Sequence, residues 1–248
     1  MEQGYESKQS RGVSPTREAE ELNALPPLAL SAALTDRLPG ASLRVSAPPY
    51  IPQIRLWLLN DLFEHRALAP EVINALMEEP PYWTFCWASG QVLAQHLLMH
   101  PESVRGRCVV DVGPGSGVVA IAAALAGAER VIACDLDANA LLAVSANAEL
   151  NGVQIEQSMD LGKCLTDASV VTAADILYDR DNLELLESFR AAQQVLLADS
   201  RIRDLAAPGY SLFHRQASTT WPDLAESQEF NEVRLYEACS EPWPHKSV

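Results

Sequence analysis

No Lys/Arg-rich run occurs in the 248 residues, and acidic residues outnumber basic ones by 33 to 18, for a formal net charge of −15. Phosphate backbones and anionic membrane surfaces repel so acidic a chain. Nucleic acid and membrane are therefore not expected partners. Solubility alone accounts for the excess acid, and a basic protein partner would also suit it. Cysteine is sparse and unpatterned: Cys86, Cys108, Cys134, Cys164 and Cys239 are odd in number and form no C-x-x-C. That excludes a disulfide framework and a zinc site, and it fits a reducing cytosol. His96 and His100 are spaced i, i+4, but no third ligand is evident, so they read as surface histidines and no metal is expected. Long apolar runs are missing too, and none approaches the ~18 residues of a membrane span. The opening "MEQGYESKQSRGVSPTREAEE" lacks the apolar segment of a secretory signal and reads as a polar, disordered tail. Its glutamates are unlike an acid-poor transit peptide. A cytoplasmic protein is expected, with the mitochondrial matrix left open. No heptad or spare apolar seam is left over, so a monomer is expected.

What is present is ordinary for a globular protein: 48% hydrophobic and 21% charged residues. The expected organisation is a disordered or loosely attached segment over 1–44 and one domain over 45–248. Within that domain, a helical part spans 50–100 and a sheet core 105–238. "PQIRLWLLNDL" puts Ile54, Trp57, Leu58 and Leu62 near helical spacing, and "APEVINALMEE" has Pro70 in a first helical turn. "GQVLAQHLLMHP" reads as a further helix stopped by Pro101. Then strand and helix patterns alternate: "RCVVDV", "SGVVAIAAALAGA", "RVIACD", "DANALLAVSANAELNG", "VQIEQSM", "ASVVTAADILY", "DNLELLESFRAA" and "QVLLAD". Asp137 is a candidate N-cap, and Asn151-Gly152 a candidate stop. "YSLFHRQ" and "EVRLYEA" could form a final antiparallel pair. Such alternation with apolar strands means an α/β, doubly wound, mostly parallel sheet covered by helices on both faces. Few residues separate the third and fourth strands, so the helix between them must be short or missing.

The stretch "VVDVGPGSG", residues 109–117, ends the first of these strands in a glycine turn. Gly113 permits the tight turn; Gly115 and Gly117 let a ligand approach the backbone. The spacing is G-x-G-x-G followed by Val118, not the G-x-G-x-x-G/A that seats a pyrophosphate, and no Gly-Lys-Ser/Thr follows. A carboxylate at Asp111 would repel a pyrophosphate and suits an amine or ammonium. S-adenosylmethionine, with a sulfonium, an α-ammonium and no phosphate, fits these features. Asp135, at the end of the next strand, can accept both ribose hydroxyls. "AADILYD", residues 173–179, follows the fourth strand and brings Asp175, Tyr178 and Asp179 to the same carboxyl edge.

"PYWTFCWASGQVLAQHLL", "VVDVGPGSGVVAIAAALAGA", "VIACDLDANALLAVSANAELN" and "DILYD" occur in that order. Together they resemble the class I, seven-β-strand lysine methyltransferases that modify the electron transfer flavoprotein β-subunit, including bacterial homologues. The resemblance covers roughly residues 45 to 238, and "WASGQ" and the D-x-x-Y of "DILY" are its more specific parts. It implies a Rossmann-like seven-stranded sheet, mostly parallel with the last strand antiparallel, behind an N-terminal helical extension. It implies an S-adenosylmethionine-dependent protein-lysine N-methyltransferase, with S-adenosylmethionine as cofactor and the electron transfer flavoprotein beta subunit as a candidate protein substrate. Trp87, Gly90 and Gln91 would line the cofactor pocket. Asp111, Gly113, Gly115 and Gly117 would form the methionine and ribose cradle, Asp135 would bind the ribose, and Asp160 is a candidate for the adenine amino group. Asp175 and Tyr178 would stand at the substrate lysine as catalytic residues, Asp175 capturing and orienting it. The compressed, polar stretch 157–166 departs from the family pattern. A small-molecule N-methyltransferase and a ribosomal-protein lysine methyltransferase stay open as alternatives. An NAD-dependent oxidoreductase and a non-catalytic nucleoside-binding module do so from other classes. Trp57, Trp83 and Trp87 are weighed as an aromatic cage for methyl-lysine, with ordinary packing expected of Trp57.

Overall fold

The computed structural model describes residues 25–60 and 79–239. A helix, α1 (Leu28–Arg37), leads into an antiparallel hairpin of β1 (Leu43–Ser46) and β2 (Leu56–Leu59). Helix α2 (Ala88–Met99) follows. The alternating part then runs β3 (Cys108–Val112), α3 (Val118–Leu125), β4 (Arg130–Cys134), α4 (Ala138–Leu150), β5 (Glu156–Ser158) and α5 (Leu161–Asp167). It ends with β6 (Val170–Ala174), α6 (Leu185–Phe189), β7 (Gln194–Asp199), β8 (Ser211–Ala217) and β9 (Glu232–Cys239). The seven strands from β3 onward form one sheet in the order β5-β4-β3-β6-β7-β9-β8. Only β9, last in the chain, runs antiparallel to its neighbours, slotted between β7 and β8.

The central strands are apolar on both faces because both faces are covered. Val109, Val131, Val170 and Leu196 look to one side, where α2 and α3 supply Leu93, Leu97, Val119 and Ile121. Val110, Ile132, Val171 and Leu197 look to the other, against Cys164 of α5 and Leu186 and Phe189 of α6. Asp137 caps α4 by accepting from the Asn139 N–H, and Asn151 closes it before Gly152 at φ 66°. The helix between β5 and β6 is the short α5, as the spacing requires. "DNLELLESFRAA" is not one helix: Arg180–Glu184 winds as a tight 3-10 turn and only Leu185–Phe189 is α-helical. The turn buries no side chain, so no apolar face anchors a longer helix there.

The N-terminal part departs most from expectation. Within 25–44, expected to be disordered or loosely attached, α1 buries Leu30 and Leu34, and Leu38, Ala41 and Leu43 join the same cluster. Within "PQIRLWLLNDL", Leu56–Leu59 is a strand where a helix was expected, and Asp61 and Leu62 lie outside the described residues. Leu56 and Leu58 face the main core while Trp57 faces α1 and α4. With both faces buried the strand shows no polar alternation, so its apolar spacing imitates a helix. The expected helix "APEVINALMEE" and the tail 1–24 lie outside the described residues, apart from Glu79. Among the described residues, no helix is long and apolar enough to cross a membrane.

Candidate active site

A cleft of about 780 Å³ opens at the carboxyl ends of β3, β4, β6 and β7, where open α/β sheets hold ligands. One end is made by the glycine turn. Gly113 (φ 64°) and Gly115 (φ 52°) line the cleft in left-handed conformations that favour glycine. They do different work. A Cβ on Gly113 would lie 2.8 Å from Ile176 Cγ2, whereas one on Gly115 would meet nothing within 4 Å. The open space beside Gly115 is the place for a ligand. Gly117 (φ 80°) is buried outside the cleft lining and begins α3; its Cβ would stand 3.2 Å from the Val144 backbone. It therefore sets the approach of α3 to α4 and does not join the cradle.

Asp135 projects into the cleft at the end of β4, with Oδ1 accepting from the Asp137 N–H at 2.9 Å. Burial pushes its pKa up, and backbone hydrogen bonds oppose the shift. Beside it, Leu136 is 82% exposed and Met159 54% exposed, and both line the cleft. Two large apolar side chains left bare around a carboxylate suit a flat heterocycle joined to a diol. Asp160, the expected adenine contact, is exposed, does not line the cleft, and spends Oδ1 on the Lys163 N–H that starts α5. Met159 and Leu161 line the cleft in its place.

Asp111 is also placed differently from expectation. Its side chain is 1% exposed; Oδ2 accepts from the Ala120 N–H at 3.0 Å and Oδ1 from the Thr172 hydroxyl at 2.8 Å. Burial raises its pKa to about 7, with both hydrogen bonds opposing. It braces the first turn of α3 against β6 and lines a small pocket beside Gly90, Gly113 and Gly115. Gln91 is fully buried, and its amide donates to Thr219 O at 2.6 Å and Cys86 O at 3.3 Å, tying α2 to the segment before Trp221. Gly90 makes room for α3: a Cβ there would stand 3.0 Å from Val118 Cγ1.

The other end of the cleft is aromatic. Trp87 stands edge-on to Tyr82, with ring centroids 5.7 Å apart, and its Nε1–H donates to Tyr82 O. Tyr178, 57% exposed, lies 5.1 Å from Tyr82. Burial pushes the Tyr178 phenol up, so it stays protonated across the neutral range. Trp83 is buried at the cleft wall, and Trp57 is packed under α1 and α4, away from it. The aromatic cluster at the cleft is thus Tyr82, Trp87 and Tyr178. Asp175 lines the same end at 8% exposure, its carboxylate held by Ser89 and Ser200.

Ser89, Ser200 and Arg201 are the residues that sequence reasoning missed. Arg201 lines the cleft 5.9 Å from the Trp87 ring, pairs with Glu226 at 2.6 Å and lies 4.3 Å over Phe230. A polar pair just past the carboxyl end of β7 was the available signal. His96 on α2 and His100 just past its end lie with ring centroids 4.7 Å apart, outside the cleft lining, and burial lowers His96 to about 4. No group of three metal-ligating side chains occurs among the described residues.

Counted from β3, the strand order is 3-2-1-4-5-7-6; with a phosphate-free glycine turn after the first strand and an acid after the second, it defines a class I methyltransferase fold. The model of the ribosomal protein L11 methyltransferase (PrmA) family matches residues 96–180. The electron transfer flavoprotein beta subunit lysine methyltransferase of Danio rerio is 49% identical over 169 residues, covering 60% of this chain and 62% of its own length. The human protein of that name is 38% identical over 114 residues, covering 44% and 43%. A ribosomal protein L11 methyltransferase of Pseudomonas aeruginosa is 37% identical over 110 residues, covering 40% and 33%. Within the class, the chain is similar to electron transfer flavoprotein beta subunit lysine methyltransferases over part of its length. It matches between 41% and 62% of the length of the vertebrate relatives named so.

Proposed function

We propose that this protein is an S-adenosylmethionine-dependent N-methyltransferase that modifies lysine side chains of a protein such as the electron transfer flavoprotein beta subunit. One observation carries the reading: a nucleoside-shaped cradle without a phosphate site and a three-ring aromatic end share a single cleft. The cradle suits the cofactor. Gly115 leaves open space, Asp135 supplies a carboxylate for the ribose, and Leu136 and Met159 supply bare apolar surface for the base. Arg201 is the cation among the described lining residues, and it is already paired with Glu226.

When bound, S-adenosylmethionine supplies a methyl group on a sulfonium, activated for in-line displacement without a metal. The protein's share is to present a neutral amine. Lysine has a reference pKa of ~10.4, so only about one side chain in a few thousand is neutral at pH 7, a penalty of roughly 4–5 kcal/mol. The rings of Tyr82, Trp87 and Tyr178 put apolar surface around the acceptor end, which disfavours the charged form once a lysine seats among them. The Tyr178 phenol oxygen can accept from an N–H of the amine and fix its direction while the nitrogen lone pair stays free to attack.

Calorimetry with S-adenosylmethionine and with NAD tests the cofactor. Transfer of labelled methyl to purified electron transfer flavoprotein beta subunit, with ribosomal protein L11 as a parallel substrate, tests the acceptor. Binding of S-adenosylmethionine and labelling of a lysine in the flavoprotein subunit is the expected result. Binding of NAD alone would sink the proposal.

A further inference from the structure

We infer that Ser89 and Ser200 are positioning residues: they hold the Asp175 carboxylate and, through it, the turn that carries Tyr178. The kinetic part of this inference rests on the methyltransferase reading; the structural part rests on geometry alone. Ser89 donates twice, from its backbone N–H to Oδ2 at 3.0 Å and from its hydroxyl to Oδ1 at 2.6 Å. Ser200 also donates twice to Oδ1, from N–H at 3.1 Å and from the hydroxyl at 2.7 Å. The Asp175 N–H meanwhile donates to Ala198 O at 3.0 Å. Segments 86 and 25 residues away in the chain thus close on one side chain.

The turn needs such holding. Asp175 sits at φ 53°, in the left-handed region, which an L-residue occupies stably only where its surroundings over-determine it. That backbone reversal sends the chain into the 3-10 turn Ile176–Tyr178. Ile176 then abuts Gly113, its carbonyl accepts from Asn182 Nδ2 at 2.8 Å, and the Tyr178 ring meets Tyr82. The same carboxylate serves α2. Trp87, the residue before that helix, has no side-chain acceptor for the helix N–H groups, and Asp175 accepts from one of them across the fold. One clamp therefore fixes both Trp87 and Tyr178.

A carboxylate at 8% exposure, with three donors on Oδ1 and one on Oδ2, is built to be gripped. Direct capture of a substrate ammonium would have to share Oδ2 with the Ser89 N–H, because three donors already crowd Oδ1. Tyr178 is the group left to meet the acceptor amine, and the serines set where it stands.

The test uses the full chain with Ser89→Ala/Ser200→Ala together, and Asp175→Asn separately. Asparagine tolerates the left-handed backbone and keeps an oxygen for the Oδ1 donors. For the double serine variant, S-adenosylhomocysteine affinity should stay within about threefold of wild type by calorimetry. Amide hydrogen exchange over residues 176–182 should quicken by about tenfold or more. The kcat for methyl transfer to the flavoprotein subunit should fall about tenfold or more, with its KM changed by less than about threefold. Asp175→Asn should retain kcat within about tenfold of wild type. Should the double variant not fold, Ser200→Ala alone must still speed that exchange, by about threefold. Wild-type exchange and kcat in the double variant would overturn the inference. So would an Asp175→Asn as inactive as Asp175→Ala beside an active double variant, because charge capture by Asp175 would then be the work. A wild-type chain that neither binds S-adenosylhomocysteine nor transfers methyl defeats the methyltransferase reading instead, and the exchange result still decides the clamp.

Discussion

The two ends of the cleft are built by opposite means. At the glycine end, space comes from missing atoms: Gly113 and Gly115 carry no Cβ, and Leu136 and Met159 stand bare. At the aromatic end, position comes from bonded atoms: four hydrogen bonds converge on Asp175, and rings brace one another around Tyr82. The contrast teaches where tolerance lies. Adding an atom should do the harm at the first end, and removing a donor at the second.

The largest effect is expected where the ends touch. Gly113→Val would drive a side chain into Ile176, 2.8 Å from the Cβ position, at φ 64°. It should cost about 2–4 kcal/mol of stability and abolish S-adenosylhomocysteine binding, as followed by thermal melts and calorimetry. Gly115→Ala is its control, with no neighbour to strike and a stability cost of about 1 kcal/mol from the backbone alone. Asp135→Ala comes next. It should weaken S-adenosylhomocysteine binding about 10- to 100-fold and leave the melting temperature nearly unchanged.

Asp199 sharpens the comparison from the bonded side. It is fully buried, Oδ1 accepts from the Arg201 and Ile202 N–H groups, and Oδ2 has no partner among the described residues. Burial raises its pKa to about 6, with the nearby Asp175 adding to the rise. A raised carboxyl pKa means the native state holds the proton longer than the unfolded chain does. Its stabilising contribution is complete below the unfolded value near 3.8 and is lost as pH rises through about 6. Asp199→Asn should therefore gain on the order of 1–3 kcal/mol over wild type at pH 7, and the gain should vanish near pH 4 in denaturant titrations. A gain that did not depend on pH would show that the carboxyl is not the cause. The smallest change is Tyr178→Phe, which should lower kcat about tenfold while S-adenosylhomocysteine affinity holds.

The sheet was legible because each central strand is a β-branched apolar run, and such runs mean cover on both faces. The same signal misled at β2, where both faces are buried and the spacing of Ile54, Trp57 and Leu58 reads equally as a helix turn. Gly113, Gly115, Asp135, Trp87 and Tyr178 line one cleft, a gathering that strand ends and motif order lead one to expect. Asp111, expected in the cradle, is buried with each oxygen already hydrogen-bonded. It shares strand parity with Val109, toward α3, and the Ala120 N–H waits there. Ser200 had only the polar pair past β7 as a signal and Ser89 had none, since a hydroxyl donor brought in from a distant segment leaves no local pattern.

Asn147 joins parts of the chain that look unrelated on paper. Fully buried in α4, its Oδ1 accepts from the Trp57 N–H at 2.7 Å and its Nδ2–H donates to Ser116 O, within the glycine turn, at 2.8 Å. One amide rivets the front hairpin to the nucleoside cradle. A shortened protein beginning after that hairpin would keep every strand of the large sheet. It would nonetheless take away the donor to this amide, uncover the apolar face of α4 and loosen the glycine turn at its root, so the hairpin supports the cleft and is not a detachable ornament.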